Sequence, residues 1–239
     1  MIDRYYEELT AVLTAVKNTQ QDAIKRAAAM VADTLKADGI VYIFGCGHSH
    51  LLALDCFYRA GGLANVSAIL DTDLMLHNGA AKSSAMEKMS GLAPHILRRY
   101  GVTEKDTLIV VSTSGKNAVP VEMAQTAKAQ GIPTIAVVSS AYFDDKSDLP
   151  KLYECADLYI DNCVPHGDAV MEIDGVGAKM GSVSTAAGSF ILQSLLLEAA
   201  ALAARDGADV PVYQSGNVDG GAQYNQALID AYLPRIKHL

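Results

Sequence analysis

Ile40-Val41-Tyr42-Ile43-Phe44-Gly45-Cys46-Gly47-His48-Ser49 decides how this chain folds. Its five consecutive apolar residues, mostly β-branched or aromatic and preceded by Gly39, read as a short strand buried on both faces. That is the signature of a parallel strand rather than a half-exposed antiparallel one. The polar glycine turn leads into a helical stretch from Leu51 to Arg59, which Gly61-Gly62 is expected to end because glycine takes the left-handed conformation that stops helices. The same unit returns downstream. Thr107-Leu108-Ile109-Val110-Val111 is a second buried strand, Ser112-Thr113-Ser114-Gly115-Lys116-Asn117 a second polar turn, and Val119 to Gln130 the helix that follows, ended by Gly131. Further strands are expected at Pro133 to Val138, at Leu158 to Ile160 and, more weakly, at Asn65 to Leu70. Strands alternating with helices predict an α/β fold with a parallel sheet covered on both faces and right-handed crossovers.

Working outward, Ile2, Tyr5, Tyr6, Leu9, Val12, Leu13 and Val16, then Ile24, Ala27, Ala28, Val31 and Leu35, recur at helical spacing, so the first 38 residues read as two helices. Ser182 to Ala204 is rich in alanine and leucine and apolar nearly all round, which places that helix in the core or at a subunit interface. No repeat or polar linker interrupts the 239 residues, a length that suits one large α/β domain. No run reaches the ~18 to 20 continuous apolar residues of a membrane span. The charged start Met1-Ile2-Asp3-Arg4-Tyr5-Tyr6-Glu7-Glu8 lacks the basic and then apolar design of a secretion signal. A cytoplasmic protein without a membrane partner is expected. Cys46, Cys56, Cys155 and Cys163 show neither a CxxC pair nor an accompanying histidine pattern, so reduced thiols are expected. The net charge of −8 argues against a broad nucleic-acid surface, which relies on clustered Lys and Arg. Any anion bound here has to be held locally.

In open parallel sheets, ligands lie beyond the carboxyl ends of the strands where strand order reverses, and both polar turns fall at such ends. Gly45 and Gly47 let the backbone approach a ligand closely, Ser49 supplies a hydroxyl, and the N–H groups of the helix opening there favour negative charge. Ser112, Thr113 and Ser114 add three hydroxyls, backed by Gly115 and the amides of the next helix. A phosphate fits such a nest with little need of net positive charge. The plain alternative is that the glycines serve ordinary strand-to-helix geometry and the hydroxyls cap helices, although one cap needs only one hydroxyl. Lys116 either adds a charge to the phosphate or stays solvated.

Ser112-Thr113-Ser114-Gly115-Lys116-Asn117 after a buried strand resembles the phosphosugar-binding signature of SIS (sugar isomerase) domains, and Gly45-Cys46-Gly47-His48-Ser49 resembles the earlier glycine and serine turn of that family. Phe57-Tyr58-Arg59-Ala60-Gly61-Gly62 and Asn217-Val218-Asp219-Gly220-Gly221 are similar to a group of stand-alone SIS proteins. The resemblance covers nearly the whole chain and extends to phosphoheptose isomerase. It implies one SIS domain over residues 1–239, a three-layer αβα sandwich around a five-stranded parallel sheet, with the 1–38 helical segment packed on it. It also implies a homodimer or homotetramer whose sites a neighbouring subunit completes. The implied ligand is a phosphorylated sugar, and the implied activity is aldose-ketose isomerisation with no cofactor. Other SIS proteins include a sugar ether lyase and sugar-sensing regulators, so elimination, or sensing through a protein partner, stands as the alternative. A DNA-binding sensor is disfavoured, because 38 residues are too few for a helix-turn-helix domain and lack a basic recognition face.

Isomerisation needs a base that moves a proton between adjacent carbons, an acid/base for ring opening, and donors that stabilise the enediolate. Several SIS enzymes carry a functional glutamate between the two turns, and Glu87 in Met86-Glu87-Lys88-Met89-Ser90-Gly91 stands in that order here. Its alternative is a solvated helix carboxylate paired with lysine. Asp71, Asp73 and His77 gather at the carboxyl end of the weaker strand, either as functional groups or as a loop with helix caps. His48 and His77 are the candidates for oxygen protonation. His48 and His50 lie too close along one turn to make a metal site without further ligands, so no metal is expected. His166, Gly167 and Asp168, followed by Glu172 and Asp174, either close over the site or form a polar connector. Gly175, Gly177 and Gly181 precede Ser182-Val183-Ser184-Thr185, where glucosamine-6-phosphate synthase carries Ser-Thr-Lys. Ala186 replaces that lysine here, which weakens any transfer of that enzyme's ring-opening chemistry and leaves Ser184 and Thr185 as candidate ligand contacts.

Overall fold

In the computed structural model, which describes all 239 residues, the expected amphipathic start becomes helices α1 (Ile2–Thr19) and α2 (Gln21–Lys36). They break at Gln20, whose side chain accepts the backbone N–H of Asp161 at 3.1 Å and so ties the helix joint to the sheet. The chain continues through β1 (Val41–Gly45), α3 (His50–Cys56), β2 (Val66–Ile69), α4 (Ala80–Met86), α5 (Ala93–Tyr100) and β3 (Thr107–Val111). Next come α6 (Ala118–Ala129), β4 (Thr134–Val138), α7 (Leu152–Cys155) and β5 (Leu158–Asp161). A small hairpin of β6 (Ala169–Met171) and β7 (Met180–Ser182) precedes the long helix α8 (Ser184–Arg205), and α9 (Gly221–Tyr232) closes the chain.

The main sheet has five parallel strands in the order β2-β1-β3-β4-β5. The reversal of strand order therefore falls between β1 and β3, the two strands that end in polar turns. Alternate residues build the two cores. Val41, Ile43, Ile109, Val111, Ile135 and Val137 face α2, α3 and α8, while Tyr42, Phe44, Leu108, Val110, Ala136 and Val138 face α5, α6 and α7. Ile43, Phe44, Leu108 and Ile109 are fully buried. Burial of each such side chain stabilises by about 1.5–3 kcal/mol. This is the three-layer αβα sandwich expected from the sequence.

Helix α8 is, by length and composition, apolar enough to cross a membrane. It packs instead along α2, with Ile191, Leu192 and Leu195 fully buried, and so serves as a core helix. Its neighbour α3 is shorter than expected. It stops at Cys56 because Phe57 turns extended and Tyr58 takes a positive φ of 48°, well before Gly61-Gly62. That glycine pair does different work: Gly61 N–H donates to Tyr213 O at 2.7 Å and Gly62 O accepts from Tyr213 N–H at 2.9 Å, so a distant segment pairs there. At the start of α8, Ser182 belongs to β7 and not to the helix. The Asp168 carboxylate accepts the N–H groups of Val183 and Ser184 and the Ser184 hydroxyl, at 3.0, 2.8 and 2.7 Å, which sets the helix start two residues later than the apolar pattern suggests.

Candidate functional site

The first turn closes tightly on itself. A Cβ on Gly45 would lie 2.6–2.7 Å from the carbonyl carbon, Cβ and carbonyl oxygen of Ser49, so only glycine fits at the end of β1. Gly47 has a φ of 53° and open space beside its Cα, and Gly47–Ser49 forms a 3-10 turn with Ser49 N–H on Cys46 O at 2.9 Å. Three residues per turn send His48 outward and His50 inward. His48 is exposed, Ser49 half-buried and His50 buried.

The second turn is held from the neighbouring strand. Ser112 N–H donates to Val137 O, and Thr113 O accepts from Ser139 N–H at 2.9 Å. The Ser112 hydroxyl accepts the Gly115 N–H at 3.3 Å, and the Thr113 hydroxyl accepts from the Asn162 amide at 3.3 Å. Gly115 takes a φ of 58°, and its carbonyl accepts the Leu152 N–H at 2.8 Å. Ser112 and Thr113 thus shape the turn, while the half-buried Ser114 makes no side-chain hydrogen bond within the chain. Lys116 is half-buried and ion-paired. Its ammonium lies 2.5 Å from Asp145 and 5.8 Å from the centre of the Tyr142 ring, which stacks on His166 at 4.3 Å. Lys116 and His166 hold the Asp145 carboxyl below its ordinary range. The loop after β5 is therefore pinned beside this turn, with Gly167 N–H on the Tyr142 hydroxyl at 2.7 Å.

Glu87 lies between the two turns. At the end of α4, its backbone oxygen accepts the Val119 N–H at 3.0 Å, which stitches that helix to the first turn of α6. Burial pushes the Glu87 carboxyl above its ordinary value, and a hydrogen bond from the Asn117 side chain opposes the rise. From the other side, burial drives the Cys46 thiol well up, with the charges of Glu87 and Asp71 adding to it. Glu87 therefore stands within electrostatic reach of Cys46 in the first turn and in contact with Asn117 in the second. Asp71 comes to the same place because the Tyr100 hydroxyl donates to Leu70 O at 2.9 Å and accepts Leu70 N–H at 2.7 Å, fixing the end of β2.

The other candidates separate. Asp73 turns away to pair with Lys82 at 2.7 Å, and that ion pair holds its carboxyl low. His77, exposed on the Leu76–Asn78 turn, meets His50 rather than His48, edge to face at 5.1 Å between ring centres. Ser184 is engaged by Asp168, and Thr185 is exposed beside it. Leu52 packs on Gly188, and Asp55 accepts from Ser189 and Gln193, so α3 and α8 run in the same direction. Both helices open on the rim where the turns lie. Sequence reasoning passed over Asn117 as a partner of Glu87, Tyr100 as the anchor of β2, and His50 as the buried histidine. The signal for Tyr100 was absent, since its partner is 30 residues away.

A doubly wound parallel sheet with two hydroxyl-bearing glycine turns at its reversal point, and a half-buried carboxylate between them, defines an α/β domain of the class in which small ligands bind beyond the carboxyl ends of the strands. Residues 4–139 match the family model described as SIS domain, and this chain belongs to the SIS domain family. It is 41% identical to a UPF0309 protein from Geobacillus thermodenitrificans, over 99% of this chain and 96% of that one. A UPF0309 protein from Brucella anthropi is 42% identical, covering 99% of this chain and 98% of the relative. Among solved structures, the phosphoheptose isomerase of Neisseria gonorrhoeae superposes with a TM-score of 0.55 at 16% identity, over 82% of this chain and 96% of that one. A phosphoheptose isomerase from Francisella tularensis gives the same score and identity, covering 82% and 95%. These two likenesses are of fold.

Proposed function

We propose that this protein binds a phosphorylated sugar in the crevice between β1 and β3 and interconverts its aldose and ketose forms. Membership of the SIS domain family supports the ligand class. The phosphate rests on the Ser49 and Ser114 hydroxyls and on backbone N–H groups of the Ser112–Asn117 turn, with Ser112, Thr113 and Gly115 shaping the nest. Glu87 takes the proton from the carbon beside the carbonyl and returns it to the neighbouring carbon, so no net proton is consumed. His77 or His48 gives a proton to the carbonyl oxygen and takes one from the hydroxyl on the neighbouring carbon, which becomes the new carbonyl.

The observation that carries this reading is Glu87 itself, a half-buried carboxylate with a raised pKa set between both turns. A base for carbon acids at neutral pH benefits from that environment. A site that only sensed a ligand would manage with hydroxyls and amides, so Glu87 favours an enzyme over a sensor. Burial that keeps the Cys46 thiol protonated speaks against thiolate catalysis. The reading treats residues 1–239 as one domain, sets it in the cytoplasm, where four free cysteines stay reduced, and assembles the chain as a homodimer or homotetramer.

The test is proton exchange in deuterium oxide, followed by proton NMR on a panel of aldose and ketose phosphates. Exchange at the carbon beside the carbonyl is expected with wild type and is expected to fall by about 10²-fold or more in Glu87→Gln, the scale of general-base catalysis. Exchange that is unchanged in Glu87→Gln removes Glu87 from the role of base.

A further inference from the structure

The neighbourhood of the first turn contains a buried polar atom that the proposed mechanism leaves without a task. His50 is 1% exposed, and its Nε2 is fully buried with no hydrogen-bond partner. Its Nδ1 lies in close hydrogen-bond contact with the carbonyl oxygen of Gly47. A carbonyl only accepts, so Nδ1 carries the proton and donates it. In the neutral ring that fixes the tautomer and leaves a bare lone pair on Nε2. Burying such an acceptor without a partner is unfavourable, and the other atoms of this kind, in Asn65, Ser67 and Tyr213, lie outside the turn.

An atom that can only accept selects its ligand by chemistry. It repels a phosphate oxygen and takes a hydroxyl proton. The N–H groups and serine hydroxyls of the two turns have the opposite preference. The crevice is thus polarised: oxyanion donors on the two turns, Ser49 and Ser114 among them, and a hydrogen-bond acceptor buried beneath the β1 turn. The ring against His50 is that of His77, exposed on a three-residue turn that ends at Gly79 with a φ of 112°. His77 is thus the exposed group in direct contact with the buried His50 ring.

We propose that His50 Nε2 is the acceptor for a sugar hydroxyl, and that it orients the ligand with its phosphate on Ser49, Ser114 and the β3 turn and its polyol end toward His50 and His77. The proposal rests on the phosphosugar reading above and adds the direction in which the sugar lies. It gives His50 a ligand contact distinct from the oxygen protonation for which His48 and His77 are the candidates.

Two measurements test it on the full-length protein. Long-range nitrogen-proton NMR of the histidine rings is expected to find His50 protonated at Nδ1 and bare at Nε2; the opposite tautomer overturns the proposal before any ligand is added. Calorimetric titration then compares wild type, His50→Phe and His50→Gln with inorganic phosphate and with the sugar phosphate that most stabilises wild type. His50→Phe is expected to lose about tenfold in affinity for the sugar phosphate, the scale of one hydrogen bond, and to stay within about twofold for inorganic phosphate. His50→Gln, which keeps an acceptor near the Nε2 position, is expected to recover most of the loss. Equal losses for both ligands, or no loss for either, overturn the assignment. A wild type that binds inorganic phosphate but no sugar phosphate overturns the phosphosugar reading instead, and the orientation falls with it.

Discussion

At Glu87 the proton is bound more tightly in the folded protein than in the unfolded chain, where the ordinary value of 4.5 applies. Below that pH both states are protonated and the burial is harmless. As pH rises past it, the unfolded state releases its proton first, so stability falls through the window above 4.5. Glu87→Gln removes that cost. We expect its melting temperature to exceed that of wild type by a few degrees at pH 7, with the gap closing at and below pH 4.5; an equal or lower value at pH 7 contradicts the environment described for this carboxylate. Glu87 was legible in the sequence only by its order between two recognisable turns, because the burial that raises its pKa and the Asn117 hydrogen bond that opposes the rise both arise only in the folded chain. The histidines show the opposite case. His48 and His50 are two residues apart, and which one enters the core depends on whether the turn is 3-10, which no periodicity in so short a segment reveals.

The elements that build the crevice depend on a few backbone positions. Gly45→Ala places a methyl 2.6 Å from the backbone of Ser49, and backbone cannot yield as a flexible side chain can. We expect a loss of about 2–4 kcal/mol in denaturant unfolding, within the range of severe single substitutions; a loss below about 0.5 kcal/mol, the size of an ordinary surface change, contradicts the tight first turn. Asp168→Ala strips three donors of their acceptor at the start of α8 and is expected to cost about 1–3 kcal/mol, read in the same way. Strands β1, β3 and β4 were the most legible, because each carries an unbroken apolar run bounded by turn residues, whereas Ser67 interrupts β2. The β6–β7 hairpin was not. Its support comes from α1, where the Tyr5 hydroxyl donates to Ser182 O at 2.7 Å and the Tyr5 ring packs on Gly181. The end of α3 escaped for the same reason, since the pairing of Gly61 and Gly62 with Tyr213 joins segments about 150 residues apart.

Over the whole molecule, the alternation of strands and helices predicted the layers, while the strand order that brings the two turns together is a property of the assembled sheet. Helix α8 was foreseen as core or interface, and the structure places one of its faces in the core. That face is buried against α2, and the other leaves Leu197 66% and Phe190 37% exposed. Sedimentation equilibrium is expected to give a multiple of the 25.3 kDa chain. Leu197→Glu is expected to shift that mass toward a single chain; a monomeric wild type contradicts the proposed assembly. The central claim, that the crevice holds a phosphorylated sugar, is tested most directly by thermal melting with a panel of sugar phosphates and the same sugars without phosphate. At ~100 times its Kd, a ligand of the native state contributes about 2.7 kcal/mol, which for a chain of this size raises the melting temperature by about 5–10 °C. We predict such a rise with particular sugar phosphates, absent with the free sugars and lost in Ser114→Ala. No rise with any sugar phosphate at millimolar concentration contradicts the claim and returns the two turns to the role of helix caps.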